Sequence, residues 1–208
     1  MRGPALHIIN IVVTWSQFNY LAMFDHFNLL APLYDRVFQP PDVEHYIRLL
    51  ELPTGGSLLD AGGGTGRVSN ELRLLVDEVV ITDISTGMLK QALSKNGLRV
   101  SQAQAEMLPF PEETFSRVIV VDALHHFRDQ RRAVLELIRV LRKDGRLLIQ
   151  EPDINFWQVK MIALAEKLAL MGSRFYSPAA IKQMAESYGC RAHFSAGDKL
   201  SSWIIVEK

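Results

Sequence analysis

Cysteine is almost absent from these 208 residues, with Cys190 standing alone. One thiol cannot close a disulfide within the chain, so a reducing compartment is expected and a cytoplasmic location with it. Long apolar runs are missing as well. The stretch Ile8 to Val13 is interrupted by Asn10, and no window approaches the ~18 apolar residues of a membrane span, so no integral membrane segment is expected. The same stretch has only Arg2 as a basic leader and no clear small-residue cleavage site, which argues against a signal peptide. There is no surplus of either charge. Lys and Arg number 23, Asp and Glu 23, and the net charge is zero. Nucleic-acid binding usually needs a basic face. The arginines at 128, 131, 132, 139 and 142, with Lys143, read instead as the solvated side of a helix. No nucleic-acid partner is expected. Repeats and low-complexity segments are lacking, and the length suits one domain with a full core.

What the chain does have is a glycine cluster in an informative place. Leu58-Leu59-Asp60-Ala61 ends a buried strand, glycines follow at 62, 63, 64 and 66, and Arg67 to Val76 reads as a helix. Strand, glycine turn and helix make a nucleotide-binding element: glycine lets the backbone approach a ligand, and the helix start favours negative charge. The spacing excludes two relatives of this element. A dinucleotide fingerprint needs G-x-G-x-x-G. Counting from Gly62 the third position is Arg67, and counting from Gly63 the second is Thr65. A phosphate loop needs a following Gly-Lys-Ser/Thr, which is missing. The spacing is Asp-x-Gly-x-Gly-x-Gly, through Asp60, Gly62, Gly64 and Gly66. An acid opening the loop suits a ligand amino group better than a pyrophosphate.

A second strand, Glu78 to Thr82, ends at Asp83. In doubly wound sheets an acid here accepts hydrogen bonds from ribose hydroxyls. The alternative reading is an acid that organises the helix starting near Ser85. Further along, strands are predicted at 99–102, 117–121 and 146–150, and helices at 43–52, 85–96, 129–141, 155–171 and 178–188. Residues 190–194 and 201–207 are expected to close the sheet as a hairpin. Alternating strands and helices predict an α/β fold with a parallel sheet. Ligands of such sheets sit at the carboxyl ends of the strands. That rule selects Asp60, Asp83, Asp122 and Glu151.

With these features assembled, the chain resembles the class I S-adenosylmethionine-dependent methyltransferases, in the type 11 group that includes the ubiquinone/menaquinone-biosynthesis C-methyltransferases. The carriers are LLDAGGGTGR (58–67), VVITDIS (79–85), AEMLPFPEETFSRVIVVDALHHF (105–127) and RVLRKDGRLLIQEPD (139–153). The resemblance implies a Rossmann-like doubly wound sheet of seven strands, mostly parallel with the last antiparallel, and helices on both faces. It implies a single methyltransferase domain over 1–208. Residues 1–45 would form an extension and lid helices, 46–153 the cofactor-binding core, and 154–208 the substrate cover and closing hairpin. The implied cofactor is S-adenosylmethionine. Its methionine part would lie on the loop of Asp60, Gly62, Gly64 and Gly66, with Asp122 nearby. Its ribose would lie on Asp83 and its adenine on Ile84. The resemblance further places Glu106 on the adenine amine, the Met107 backbone on a ring nitrogen, and Tyr34 over the cofactor carboxylate.

The implied reaction is in-line methyl transfer to a small-molecule or lipid-like acceptor with an O-, C- or N-nucleophile. The alternative is a catalytically silent S-adenosylmethionine-binding regulatory module. His126, His125 and Glu151 are the candidate proton acceptors, His126 ahead of His125, because imidazole titrates near neutral pH. A structural histidine is the competing reading for each. Adjacent histidines with no cysteine or H-x-x-x-H partner do not make a metal site, and no metal is expected. Apolar residues in 154–171 suit the roof of an apolar acceptor pocket or an ordinary core.

Overall fold

The computed structural model describes residue 31 and residues 42–168, 172–197 and 200–208. Helix α1 (Val43–Leu50) leads into β1 (Ser57–Ala61). A short α2 (Ser69–Leu72) follows, then β2 (Glu78–Asp83), α3 (Thr86–Leu93) and β3 (Leu98–Gln102). Next come β4 (Phe115–Val121), α4 (Gln130–Val140) and β5 (Leu141–Pro152). The chain continues with α5 (Trp157–Leu168), α6 (Pro178–Glu186), β6 (Arg191–Ala196) and β7 (Ser201–Glu207). The segment before Asp42, apart from Ala31, lies outside the described residues, and with it the expected lid and Tyr34.

The seven strands form one sheet in the order β3-β2-β1-β4-β5-β7-β6. β7 alone runs against its neighbours, pairing antiparallel with β5 and with β6. The expected hairpin is present. Successive side chains on a strand point to opposite faces, so the central strands feed two cores. Leu59, Val118, Val120, Leu147 and Ile149 pack on one face against α4 and α6. Leu58, Ile81, Ile119 and Leu148 pack on the other with Tyr46, Leu50, Leu72 and Leu89. This is why β1, β4 and β5 read as continuous apolar runs rather than alternating ones.

The caps follow the sequence closely. Ser85, Asp129 and Ser177 each accept a hydrogen bond from the amide three residues on, and Pro178 opens the first turn of α6. Such caps satisfy amides that have no partner within the helix. Asp42 precedes α1 but makes no side-chain cap bond.

Two elements depart from expectation. The helix predicted over 67–76 contracts to Ser69–Leu72, because tighter i→i+3 bonds form at both ends, from Glu71 to Val68 and from Leu75 to Leu72. β5 begins earlier than expected, since Leu141 already pairs with Phe115. The register then jumps to Arg146 opposite Arg117, leaving 142–145 looped out with Asp144 at φ 61°.

Candidate functional site

The strand order reverses direction between β1 and β4. Crossovers leave to opposite sides there, which opens a crevice beyond the carboxyl ends of the strands. Asp60, Asp83, Asp122 and Glu151 all stand at this edge, at or next to the ends of β1, β2, β4 and β5.

The glycine loop is stapled to β2. Gly62 and Gly63 donate their amides to the Thr82 carbonyl at 2.7 and 3.2 Å. Gly64 donates to Oδ2 of Asp83 at 3.0 Å, while Oδ1 of Asp83 accepts from the Ser85 amide at 2.8 Å. Asp83 therefore organises the start of α3, and it also holds the glycine loop at the strand edge. Lys95 secures the far side by donating to the Thr65 carbonyl at 2.8 Å.

The glycines are not equivalent. A Cβ on Gly62 would meet Ala123 Cβ at 2.7 Å, so this position lets the loops after β1 and β4 touch. One on Gly66, at φ 70°, would meet Ile81 at 2.5 Å and Leu98 at 2.9 Å. At Gly64 the nearest atom would be the Met88 sulfur, 3.9 Å away. The loop is thus filled by protein behind Gly62 and Gly66 and roomy above Gly64. Room at one glycine, between packed ones, is what a cradle for an extended ligand requires.

Asp60 lies beneath this loop. It is 2% exposed, accepts from the Ser69 hydroxyl at 2.6 Å, and its Oδ1 is buried without a hydrogen-bond partner. Gly63 crosses directly over its carboxyl, where a side chain would collide. Burial pushes this carboxyl up to about 7, against the Ser69 bond, with the charge of Asp83 adding to the rise. Asp60 thus faces the underside of the loop more than the open crevice. This alters the expectation of a free carboxylate opposite a ligand amine.

Asp122 takes a left-handed backbone conformation, φ 50°. Its amide donates to the Gln150 carbonyl at 2.9 Å. Burial, then the neighbouring Glu151 charge, raises its carboxyl to about 6. Strained non-glycine residues of this kind persist where surrounding contacts fix them. The contacts come from Glu151, which is 3% exposed. Its Oε1 accepts from the amides of Ala123 (3.0 Å) and Leu124 (2.7 Å), and its Oε2 lies 2.6 Å from His125 Nδ1.

The two histidines sit on a 3-10 turn, Leu124–His126, with ring centroids 4.0 Å apart. His125 also stacks on Phe175, at 4.5 Å and 18° between planes. His126 Nδ1 is 3.1 Å from the Ser173 hydroxyl. Burial, reinforced by His125, lowers His126 to about 3. It therefore stays neutral through the physiological range, unlike the near-neutral imidazole expected from its sequence position.

Beyond the carboxyl end of β2 and in the loop after β3, Ile84 is 64% and Met107 73% exposed. Large apolar side chains left this open beside a cleft are available to a flat apolar ligand. The Met107 amide already donates to the Gln104 carbonyl at 3.1 Å, so the donor expected for a ring nitrogen is engaged within its own turn. Glu106 accepts from the Asp129 amide at 3.0 Å, which ties it to the start of α4.

Several site residues had no signal in the sequence. Tyr46 is buried, donates to Gln150 Oε1 and lies edge-on to Trp203. Its hydroxyl is pushed well above the usual phenol range, by burial first and then by Asp122. Arg67 carries positive charge within range of Asp60, Asp122 and Tyr46. Ser173 and Phe175 reach the histidines from a segment with no motif. Among the described residues no cluster of three or more His, Cys, Asp or Glu could hold a metal, and no helix is long and apolar enough to cross a membrane.

Residues 59–149 match the family model described as "Methyltransferase domain". The chain is 33% identical over 117 residues to the ubiquinone/menaquinone biosynthesis C-methyltransferase UbiE of Marinomonas sp., covering 51% of this chain and 47% of that protein. It is 34% identical over 122 residues to the uncharacterized methyltransferase YcgJ of Bacillus subtilis, covering 55% and 48%. The crystal structure of YcgJ superposes with a TM-score of 0.67 at 26% identity, over 74% of this chain and 70% of that one. A SAM-dependent methyltransferase structure from Thermotoga maritima reaches 0.70 at 21% identity, over 88% and 97%, a likeness of fold. The chain spans about half the length of the curated relatives it matches.

Proposed function

We propose that this chain, whose residues 59–149 are a class I methyltransferase domain of the type 11 group, transfers the methyl group of S-adenosylmethionine to a small organic acceptor. The observation that carries the proposal is the stapled loop. Gly64 is the roomy position, its amide sits on the Asp83 carboxylate, and Ile84 stands exposed beside them. A loop, an acid and an apolar side chain in that order suit the amino-acid, ribose and base parts of this cofactor.

When bound, the cofactor supplies an electrophilic methyl on a sulfonium. An electron pair of the acceptor would take that methyl, and the carbon–sulfur pair would stay on sulfur. The protein's part is orientation and exclusion of water. Good orientation alone is worth roughly 7–11 kcal/mol. The loop of Gly62, Gly64 and Gly66 with Asp122 would hold the methionine end. Asp83 would accept from the ribose hydroxyls, and Ile84 would pack on the base. Glu106 and Met107 line the base side, and Tyr34 is proposed to close over the carboxylate.

His126 is proposed to orient the nucleophile through a hydrogen bond. A group that gains a proton only near pH 3 is poorly matched to general-base work at neutral pH. That favours acceptors whose nucleophile is already deprotonated or activated, such as a phenolate, an electron-rich quinol ring or a free amine. The exposed Phe156, Trp157, Met161 and Ile162 around α5 favour an apolar one, and the name of the UbiE relative points to quinol-type rings. The test is transfer of labelled methyl from S-adenosylmethionine to a panel of phenols, quinols and amines, with label expected in the extractable phenol or quinol fraction. The same neutral histidine also suits a silent cofactor-binding module. Cofactor binding with no label moved to any acceptor would favour that second reading.

A further inference from the structure

Glu151 and His125 were selected by sequence as proton acceptors, yet their contacts point inward. Glu151 is almost fully buried, and three donors converge on its carboxylate. Two of these donors are the consecutive amides of Ala123 and Leu124 on one oxygen. Consecutive amides aimed at one anion form a small backbone nest. This nest fixes the peptide units that follow the left-handed Asp122. A buried carboxylate is tolerable only when compensated in this way, and removing its partners is costly.

The other oxygen has a side-chain partner. It holds His125, whose second face lies on the Phe175 ring. The His125 carbonyl accepts from the Arg174 amide at 2.8 Å. The Arg174 carbonyl in turn accepts from Gln130 Nε2 at 2.6 Å. Ser173 reaches His126 in the same stretch. Residues 173–175 therefore form a strap, between α5 and α6, that is fastened to the loop after β4 by backbone, side-chain and ring contacts together.

We infer that Glu151 and His125 are positioning residues that join the 173–175 strap to Asp122, so that the acceptor-side cover and the cofactor-side loop are set as one unit. Phe175 belongs to the same device at its far end. The inference rests on the methyl-transfer reading only for the identity of the ligand that Asp122 helps to hold. Its physical content is that a strap residue stacked on His125 controls cofactor affinity through Glu151.

The test is a double-mutant cycle on binding of S-adenosylhomocysteine, measured by calorimetry on the full chain. Phe175→Ala is expected to weaken binding several-fold and Glu151→Gln about tenfold. The double variant is expected to bind no more weakly than Glu151→Gln alone, because coupled residues are non-additive. Phe175→Tyr, which keeps the stacked ring, should bind as the unaltered chain does. Wild-type affinity in Phe175→Ala, or effects that simply multiply, would overturn the inference. If the unaltered chain does not bind the ligand, the functional reading fails, while the coupling is still decided by amide hydrogen exchange. Faster exchange at Arg174 together with Ala123 and Leu124 in Glu151→Gln supports it, and an unchanged Arg174 amide overturns it.

Discussion

Asp60 carries a conflict between burial and charge that makes a direct prediction. Its carboxyl is raised to about 7 in the folded chain and titrates near 4 when unfolded. The folded state therefore holds the proton across the interval where the unfolded state releases it. Stability falls as pH rises from about 4 to about 7 and then levels, the opposite of a salt-bridged acid. Asp60→Asn removes this titration while its side-chain oxygen still accepts from Ser69. Denaturant melts at pH 4.5 and pH 8 should show the variant gaining on the wild type by a few kcal/mol, at roughly 1.4 kcal/mol per unit. An equal difference at both pH values contradicts the assignment. His126 gives a second residue-scale prediction. With its imidazole lowered to about 3, its NMR shifts should stay flat from pH 8 to pH 5. A titration near 6.5 would return it to the list of candidate bases. Neither shift was legible in the sequence. The positions of Asp60 and His126 followed from motif and strand-end rules, but their burial depends on Gly63 crossing above one and on Ser173 and His125 packing against the other.

At the scale of the element, the glycine loop separates folding from binding. Gly66 is pinned between Ile81 and Leu98 at a positive φ. Gly66→Ala should destabilise the chain by about 2–4 kcal/mol, through left-handed strain and overpacking together. Gly64 has the same hand, but a Cβ there would meet only the Met88 sulfur, at an uncrowded 3.9 Å. Gly64→Ala should cost only about 1–2 kcal/mol in stability, yet lower cofactor affinity at least tenfold by filling the cradle. Thermal melts paired with calorimetry distinguish the two, and a Gly64→Ala chain with normal affinity would remove the loop from the site. The loop's spacing and its strand were readable because each is a local signal. The short α2 and the looped-out 142–145 were not. Both depend on how a turn bonds or a register shifts against a neighbouring strand, which no local pattern records.

Across the whole molecule, the sheet order places four acids at one edge although they lie far apart in sequence, from Asp60 to Glu151. The alternation of strand and helix together with family resemblance anticipated the seven strands and the antiparallel β7. The strap over the histidines was not anticipated, because Ser173 and Phe175 meet them only through the path of the chain between α5 and α6. Tyr34 and the expected lid before Asp42 fall outside the described residues, and their role over the cofactor stands as a proposal. Everything proposed for the site depends on the crevice between β1 and β4 holding S-adenosylmethionine. Calorimetric titration with S-adenosylhomocysteine, run on the wild type and on Asp83→Ala, tests it most directly. Saturable one-to-one binding with micromolar affinity is expected, weakened in Asp83→Ala by roughly 1.5–3 kcal/mol, as befits loss of charge-assisted hydrogen bonds. A folded wild type that takes up no ligand, or an Asp83→Ala variant that binds as tightly as the wild type, would contradict it.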